Sequence, residues 1–209
     1  MATYAFVHGA WHGGWAWDPV RPELESRGHR VVAPDLPCED VDAGVEEYAA
    51  VVRDALGGTE DAIVVGHSLG GMTIPLVPGR AHVFLSALLG GTGWRGVFVE
   101  GFGDTRVRDE LGRSYYPDFA DAARELQYPP ELASLATKLR RQAPVDAEAH
   151  DVAGPVAYIV CANDASIRPD WQRHLARDVL GVEPIELEAG HSPMLSCPRE
   201  LAALLDTLS

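Results

Sequence analysis

Lysine is nearly absent. Lys138 is the one lysine among 17 Lys and Arg residues in 209. We take that bias as composition, not as a site. Basic charge is short as well. Asp and Glu number 31, and the net charge is −14. Such a surface argues against nucleic acid or an anionic membrane as partner. Cysteine is scarce. Cys38, Cys161 and Cys197 are too few and too scattered for a disulfide framework, and read as buried or free thiols in a reducing compartment. No apolar run approaches the length of a membrane span. The stretch MATYAFVHG has no basic region before its apolar run, so no signal peptide is expected. A cytoplasmic protein is the default, with no repeat and no low-complexity tract.

What is present is a rhythm. Short apolar runs, TYAFV, HRVVAPD, DAIVVGHS, HVFLSALL, PVAYIVCAND and EPIELE, alternate with amphipathic stretches. The runs are rich in Val, Ile and Leu without strict alternation, as in strands covered on both faces. Between them, PVRPELESRG, VDAGVEEYAAVVRDALGG, PDWQRHLARDVLG and PRELAALLDTL carry helix start and stop signals. Val45, Tyr48, Val52 and Leu56 share one helical face. This alternation predicts one α/β domain over 1–209, with a mainly parallel sheet and helices on both sides. Residues 90–153 break the rhythm. They hold no convincing strand, and 117–142 reads as two short helices split by Pro129-Pro130. An insertion this long between core strands is usually a functional lid.

The strongest chemical signal is VVGHSLGG, residues 64–71. Gly66-His67-Ser68-Leu69-Gly70 fits G-x-S-x-G between a strand and a helix. That pattern makes a tight turn and lifts the Ser68 hydroxyl off the sheet. It also brings the free N–H groups of a helix start beneath a developing negative charge. A serine needs a general base. His191, in LEAGHSPM after the last strand, is the best placed. His150 and His174 fall on the lid and within a helix. The acid should close the previous strand, where Asp164 stands in VCANDASIRP; Asp151, Asp170 and Asp178 are the alternatives.

The motifs FVHGAWHGGWAW, VVGHSLGGM, FLSAL, DASIRPDWQ and GHSPMLSCP resemble the α/β-hydrolase superfamily. More narrowly, they are similar to the branch of plant methylesterases, plant hydroxynitrile lyases and small bacterial esterases. The resemblance spans the core and is weak over 90–153. It implies an α/β-hydrolase fold with six strands and a short helical lid. It also implies an oxyanion hole from the backbone N–H groups of Ala10 and Leu69, and needs no cofactor.

In the lyases of this branch a lysine follows the catalytic histidine, and a threonine follows the first histidine of the oxyanion loop. Ser192 and Gly9 occupy those positions here, which argues against cyanohydrin cleavage. A metal site at His8 and His12 is disfavoured by the surrounding glycines and by the lack of a third ligand. The expected activity is hydrolysis of a small or medium ester, lactone or thioester by Ser68, Asp164 and His191. A lactone-forming cyclase, a C–C bond lyase and a non-catalytic ligand-binding homologue remain alternatives. The expected substrate contacts are Trp11, Trp94, Phe98, Tyr115 and Met194; Met72, Phe102, Tyr116 and Phe119 are further candidates. The expected partner is a small molecule, and a homodimer is left open.

Overall fold

Alternate residues of each core strand face opposite ways, and both sets are buried. Tyr4 and Phe6 of β1 (Thr3–Val7) join a cluster with Trp17 and Leu24, while Ala5 and Val7 join Tyr48 and Val52. Burial on two faces removes any reason for polar alternation, hence the unbroken apolar runs. The computed structural model describes residues 1–93 and 96–209. Its sheet has six parallel strands: β1, β2 (Arg30–Val32), β3 (Ala62–His67), β4 (Ala81–Leu85), β7 (Val156–Cys161) and β8 (Ile185–Leu187). Their spatial order is β2-β1-β3-β4-β7-β8. The register runs from Thr3 beside Arg30 and Ala62 to Cys161 beside Leu187.

Helices α1 (Arg21–Glu25) and α6 (Pro198–Asp206) pack through Leu24, Leu201 and Leu205 on one face. Helix α2 (Val45–Leu56) covers the other face through Tyr48, Val52 and Leu56. Helix α4 (Pro169–His174) continues through a wide turn that buries Leu175 and Ala176 on that same face. The start of α2 is closed by Glu47, whose carboxylate accepts the Gly44 N–H at 2.8 Å. The α/β-hydrolase architecture expected from the sequence is therefore present.

The structure departs from the sequence expectation at three places. The insertion does contain strands: β5 (Val107–Arg108) and β6 (Ser114–Tyr115) form a two-stranded hairpin. Such short strands give no periodicity to read. Asp109 holds the turn by accepting from Arg113 and Arg141. Among its described residues the insertion also carries one α-helix, α3 (Phe119–Glu125), but the stretch after Pro129 is a 3-10 run, Pro130–Lys138. Finally, the segment after Ser68 is not an α-helix. It forms two 3-10 turns, Ser68–Met72 and Ile74–Leu76. Gly70, Gly71 and Pro75 together are poor α-helix formers. No helix among the described residues is long and apolar enough to cross a membrane.

Candidate active site

Ser68 follows β3 with φ of +52°, a left-handed conformation rare for serine. The flanking glycines are required by close approach. A Cβ on Gly66 would lie 2.8 Å from the Gly70 carbonyl oxygen, and one on Gly70 would lie 2.5 Å from that of Val7. The elbow is thus wedged against the end of β1. Gly9, next along that loop, is equally confined: its Cβ would sit 2.9 Å from the Ser68 Cβ. Gly9→Ala should displace Ser68 and lower kcat on an ester by about a hundredfold. Ester kinetics, with circular dichroism showing a retained fold, check this.

His191 lies between β8 and α5 (Pro193–Ser196). Its Nδ1 donates to Asp164 Oδ2 at 2.8 Å. Asp164 leaves the end of β7 and is almost wholly buried. Burial alone would raise its carboxyl. The His191 charge and the hydrogen bonds from His191, Ser86 and Ser166 outweigh that and bring it below the ordinary range. Oδ1 accepts the N–H groups of Ser166 (2.7 Å) and Ile167 (2.9 Å). Oδ2 also accepts from the Ser86 hydroxyl and from Gln172 Nε2 at 2.9 Å. The carboxylate is therefore held ionised and immobile.

Ser68 and His191 line one cavity of about 590 Å³, together with Ala10, Leu69 and Trp11. The structure contains no direct hydrogen bond between Ser68 and His191. Catalytic hydrogen bonds of this kind are often long before substrate tightens them. The Ala10 N–H donates to no group among the described residues.

Of the expected substrate contacts, Trp11 and Phe98 line the cavity, as does Phe102. Tyr115 does not; its ring lies under the Arg141 guanidinium, 4.4 Å from its centroid. Met194 is fully buried in the core. Trp94 lies outside the described residues.

His8 and His12 brace the loop that follows β1. His8 Nδ1 donates to the Gly9 carbonyl (2.9 Å), and its Nε2 accepts the Leu36 N–H (3.0 Å). His12 Nδ1 donates to the Ala10 carbonyl (2.8 Å), and its Nε2 meets the Tyr128 hydroxyl (2.7 Å). Burial lowers His8 to about 4 and His12 to about 3. Trp17 pins the loop by stacking on Phe6, with ring centroids 4.3 Å apart.

Four supporting residues escaped the sequence reading. Ser86 and Gln172 lay inside FLSAL and DASIRPDWQ, so the motifs marked them without revealing their role. His67, the variable position in the elbow, donates from Nε2 to the His191 carbonyl at 2.7 Å. Gln127 had no sequence signal. It follows α3 with φ of +55°, and its Oε1 accepts both Ala165 N–H (2.7 Å) and His191 N–H (2.8 Å). Its Nε2 donates to the Asn163 carbonyl at 3.0 Å. Ser166 and Ser192 add hydrogen bonds to the carbonyls of Glu125 (3.0 Å) and Leu126 (2.6 Å). This corner of the lid ties the acid loop to the histidine loop. Gln127→Ala should lower kcat about tenfold with little change in KM, and Gln127→Glu, which keeps the shared acceptor, should recover much of it. Steady-state kinetics on one ester decide this.

A strained serine at a strand-to-turn elbow, sharing a cavity with a carboxylate-bound imidazole, is the arrangement of a serine hydrolase built on a parallel sheet. The chain belongs to the alpha/beta hydrolase family, whose model matches residues 5–204. It is 32% identical to salicylic acid-binding protein 2 of Nicotiana tabacum, over 97% of this chain and 95% of that protein. Methylesterase 3 of Arabidopsis thaliana is 29% identical over 95% and 92%. Among solved structures, a pyrethroid hydrolase from Sphingobium faniae JZ-2 superposes with a TM-score of 0.77 at 27% identity, covering 99% of this chain and 96% of that one. Site and relatives together support a carboxylic ester hydrolase of the plant methylesterase-like branch.

Proposed function

We propose that this protein hydrolyses small or medium carboxylic esters through Ser68, His191 and Asp164. The observation that carries the reading is the shared cavity, with Ser68 and a His191 whose Nδ1 is committed to a buried carboxylate. That bond leaves His191 Nε2 as the basic atom. Nε2 takes the Ser68 proton as Oγ adds to the ester carbonyl. The N–H groups of Ala10 and Leu69 receive the oxyanion. Collapse expels the alcohol, which takes the proton from Nε2. Water then attacks the acyl-enzyme with the same base, releasing the acid and restoring Ser68. The cavity volume and its aromatic lining suit a compact, partly apolar substrate.

Two features weigh against a lyase. The Ser192 hydroxyl is fully buried and bonded to Leu126, so no cation stands beside the imidazole there. A side chain at Gly9 would strike Ser68. A fluorophosphonate tests the proposal: it should add its mass to the wild-type protein and not to Ser68→Ala. An unlabelled wild type, or equal labelling of the variant, overturns the assignment of the nucleophile.

A further inference from the structure

Resting on the ester hydrolase reading above, we propose that the substrate bears a carboxylate and that Arg106 receives it. Among the described residues, two guanidiniums line the catalytic cavity, Arg106 and Arg108. In a chain of net charge −14, most arginines are engaged by carboxylates, from Arg21 with Glu25 to Arg199 with Glu23. Among the described residues, neither Arg106 nor Arg108 has a carboxylate partner. Arg108 donates to the Gly112 carbonyl at 2.8 Å. Among the described residues, Arg106 donates only through Nε, to the Gly103 carbonyl at 3.3 Å. Its two terminal nitrogens, the fork that grips a carboxylate, are uncommitted.

The position of Arg106 is built rather than incidental. Its guanidinium carbon lies 4.8 Å from the Trp11 ring centroid and 4.9 Å from that of Phe102. Two aromatic faces fix the plane and leave the N–H edge available. Behind it, Gly103 has φ of +84°, and a Cβ there would lie 1.7 Å from Arg106 Nη2. A side chain at Gly103 would push the guanidinium from this position. Glu125 then holds the Gly103 N–H at 2.9 Å and the Thr105 hydroxyl at 2.5 Å, which anchors the loop.

Arg106 shares the cavity with Ser68 and His191. Phe102 neighbours both groups: its ring centroid lies 4.9 Å from the Arg106 guanidinium carbon and 6.4 Å from the His191 ring centroid. An acyl chain bound at Ser68 and running along Phe102 would end at the guanidinium. Asp146 is the one carboxylate in the lining, and its Oδ1 accepts the Ala147 N–H at 2.9 Å. It pairs with neither arginine. The overall acidic field repels anions, so a carboxylate substrate needs a local cation of this kind.

The test compares mono-4-nitrophenyl esters of succinate through suberate with 4-nitrophenyl alkanoates of equal length. In wild type, at least one half-ester should have the higher kcat/KM, and added salt should erode the advantage. Arg106→Gln should cut the ratio of charged to neutral kcat/KM by about tenfold or more, and Arg106→Lys should keep part of it. A ratio equal in wild type and Arg106→Gln across the series overturns the proposal. If Arg106→Gln does not fold, a wild-type ratio indifferent to salt overturns it instead. Ser68 labelling separates the two readings. Failure of fluorophosphonate to label wild type sinks the hydrolase reading. Labelling without ester turnover leaves the carboxylate site to be read by protection. Free dicarboxylates of the series should then slow labelling of wild type but not of Arg106→Gln. No protection in wild type counts against the site.

Discussion

Ser68→Ala and His191→Ala should each lower kcat on a reactive ester by about 10⁴-fold or more, and the double variant should fall no further. The two side chains act on one bond. Without the imidazole the hydroxyl keeps its proton, and without the hydroxyl the imidazole has nothing to activate. Independent contributions would multiply; a shared step does not. Asp164→Asn should lie close to the single variants, because an amide in that position would no longer fix Nδ1–H. Some turnover above the buffer rate should remain in all of them, supplied by binding and by the N–H groups of Ala10 and Leu69. A double variant slower than either single variant by a further hundredfold would contradict this coupling.

The second large effect concerns acid. The unfolding free energy should fall steeply below about pH 6.5, by as much as about 4 kcal/mol per pH unit. Three buried histidines are the cause. His8 and His12 are lowered to about 4 and about 3, chiefly by burial, with Asp35 opposing and Arg140 reinforcing the shift at His8. His67 is lowered well below its ordinary value by burial and by the nearby charges of His191 and His12. Hydrogen bonding agrees. A protonated His8 would point an N–H at the N–H of Leu36. Each folded-state pKa therefore lies below its unfolded value. As pH falls through 6.5 the unfolded chain binds protons that the folded chain refuses. The stability contributed by neutral imidazoles is present above that pH and is lost on the way down to the folded pKa values. Up to three protons are taken up on unfolding in this window. Stabilities of a few to fifteen kcal/mol, usual for a domain, would be consumed within about two or three pH units. Urea unfolding at a series of pH values measures the slope. His8→Gln, which keeps a donor and an acceptor, should remove about one proton of it. A flat profile down to pH 5 would refute the idea.

Much of the core is legible in the sequence. Strand runs such as TYAFV and VAYIVC depend on burial alone, and their apolar content announces it. The elbow and His191 were legible because each stands where a strand ends, a place that sequence marks with Gly and Pro. The hairpin at Val107–Tyr115 was not. Its strands are two residues long, and its stability comes from Asp109 with Arg113 and Arg141, a pairing no periodicity encodes. Met194 is expected at the substrate as a neighbour of His191, and Tyr115 as an aromatic of the insertion; the turns around them direct one inward to the core and the other to Arg141. Gln127 was illegible for a further reason. Its role depends on a left-handed backbone turn and on two loops more than thirty residues away meeting one amide.

The corner at Glu125, Leu126 and Gln127 divides the insertion into unequal halves for anyone wishing to re-engineer the enzyme. Residues 104–116 touch the cavity through Arg106, Arg108 and Ser114. Grafts confined to that half would exchange what the pocket admits while the catalytic loops keep their spacing. Grafts that cross 125–127 would uncouple Asp164 from His191, however well the new segment folds. The cavity wall is thus drawn from both sides of the corner, 98–114 and 142–146, while Glu125 and Gln127 tie that wall to the loops of Asp164 and His191.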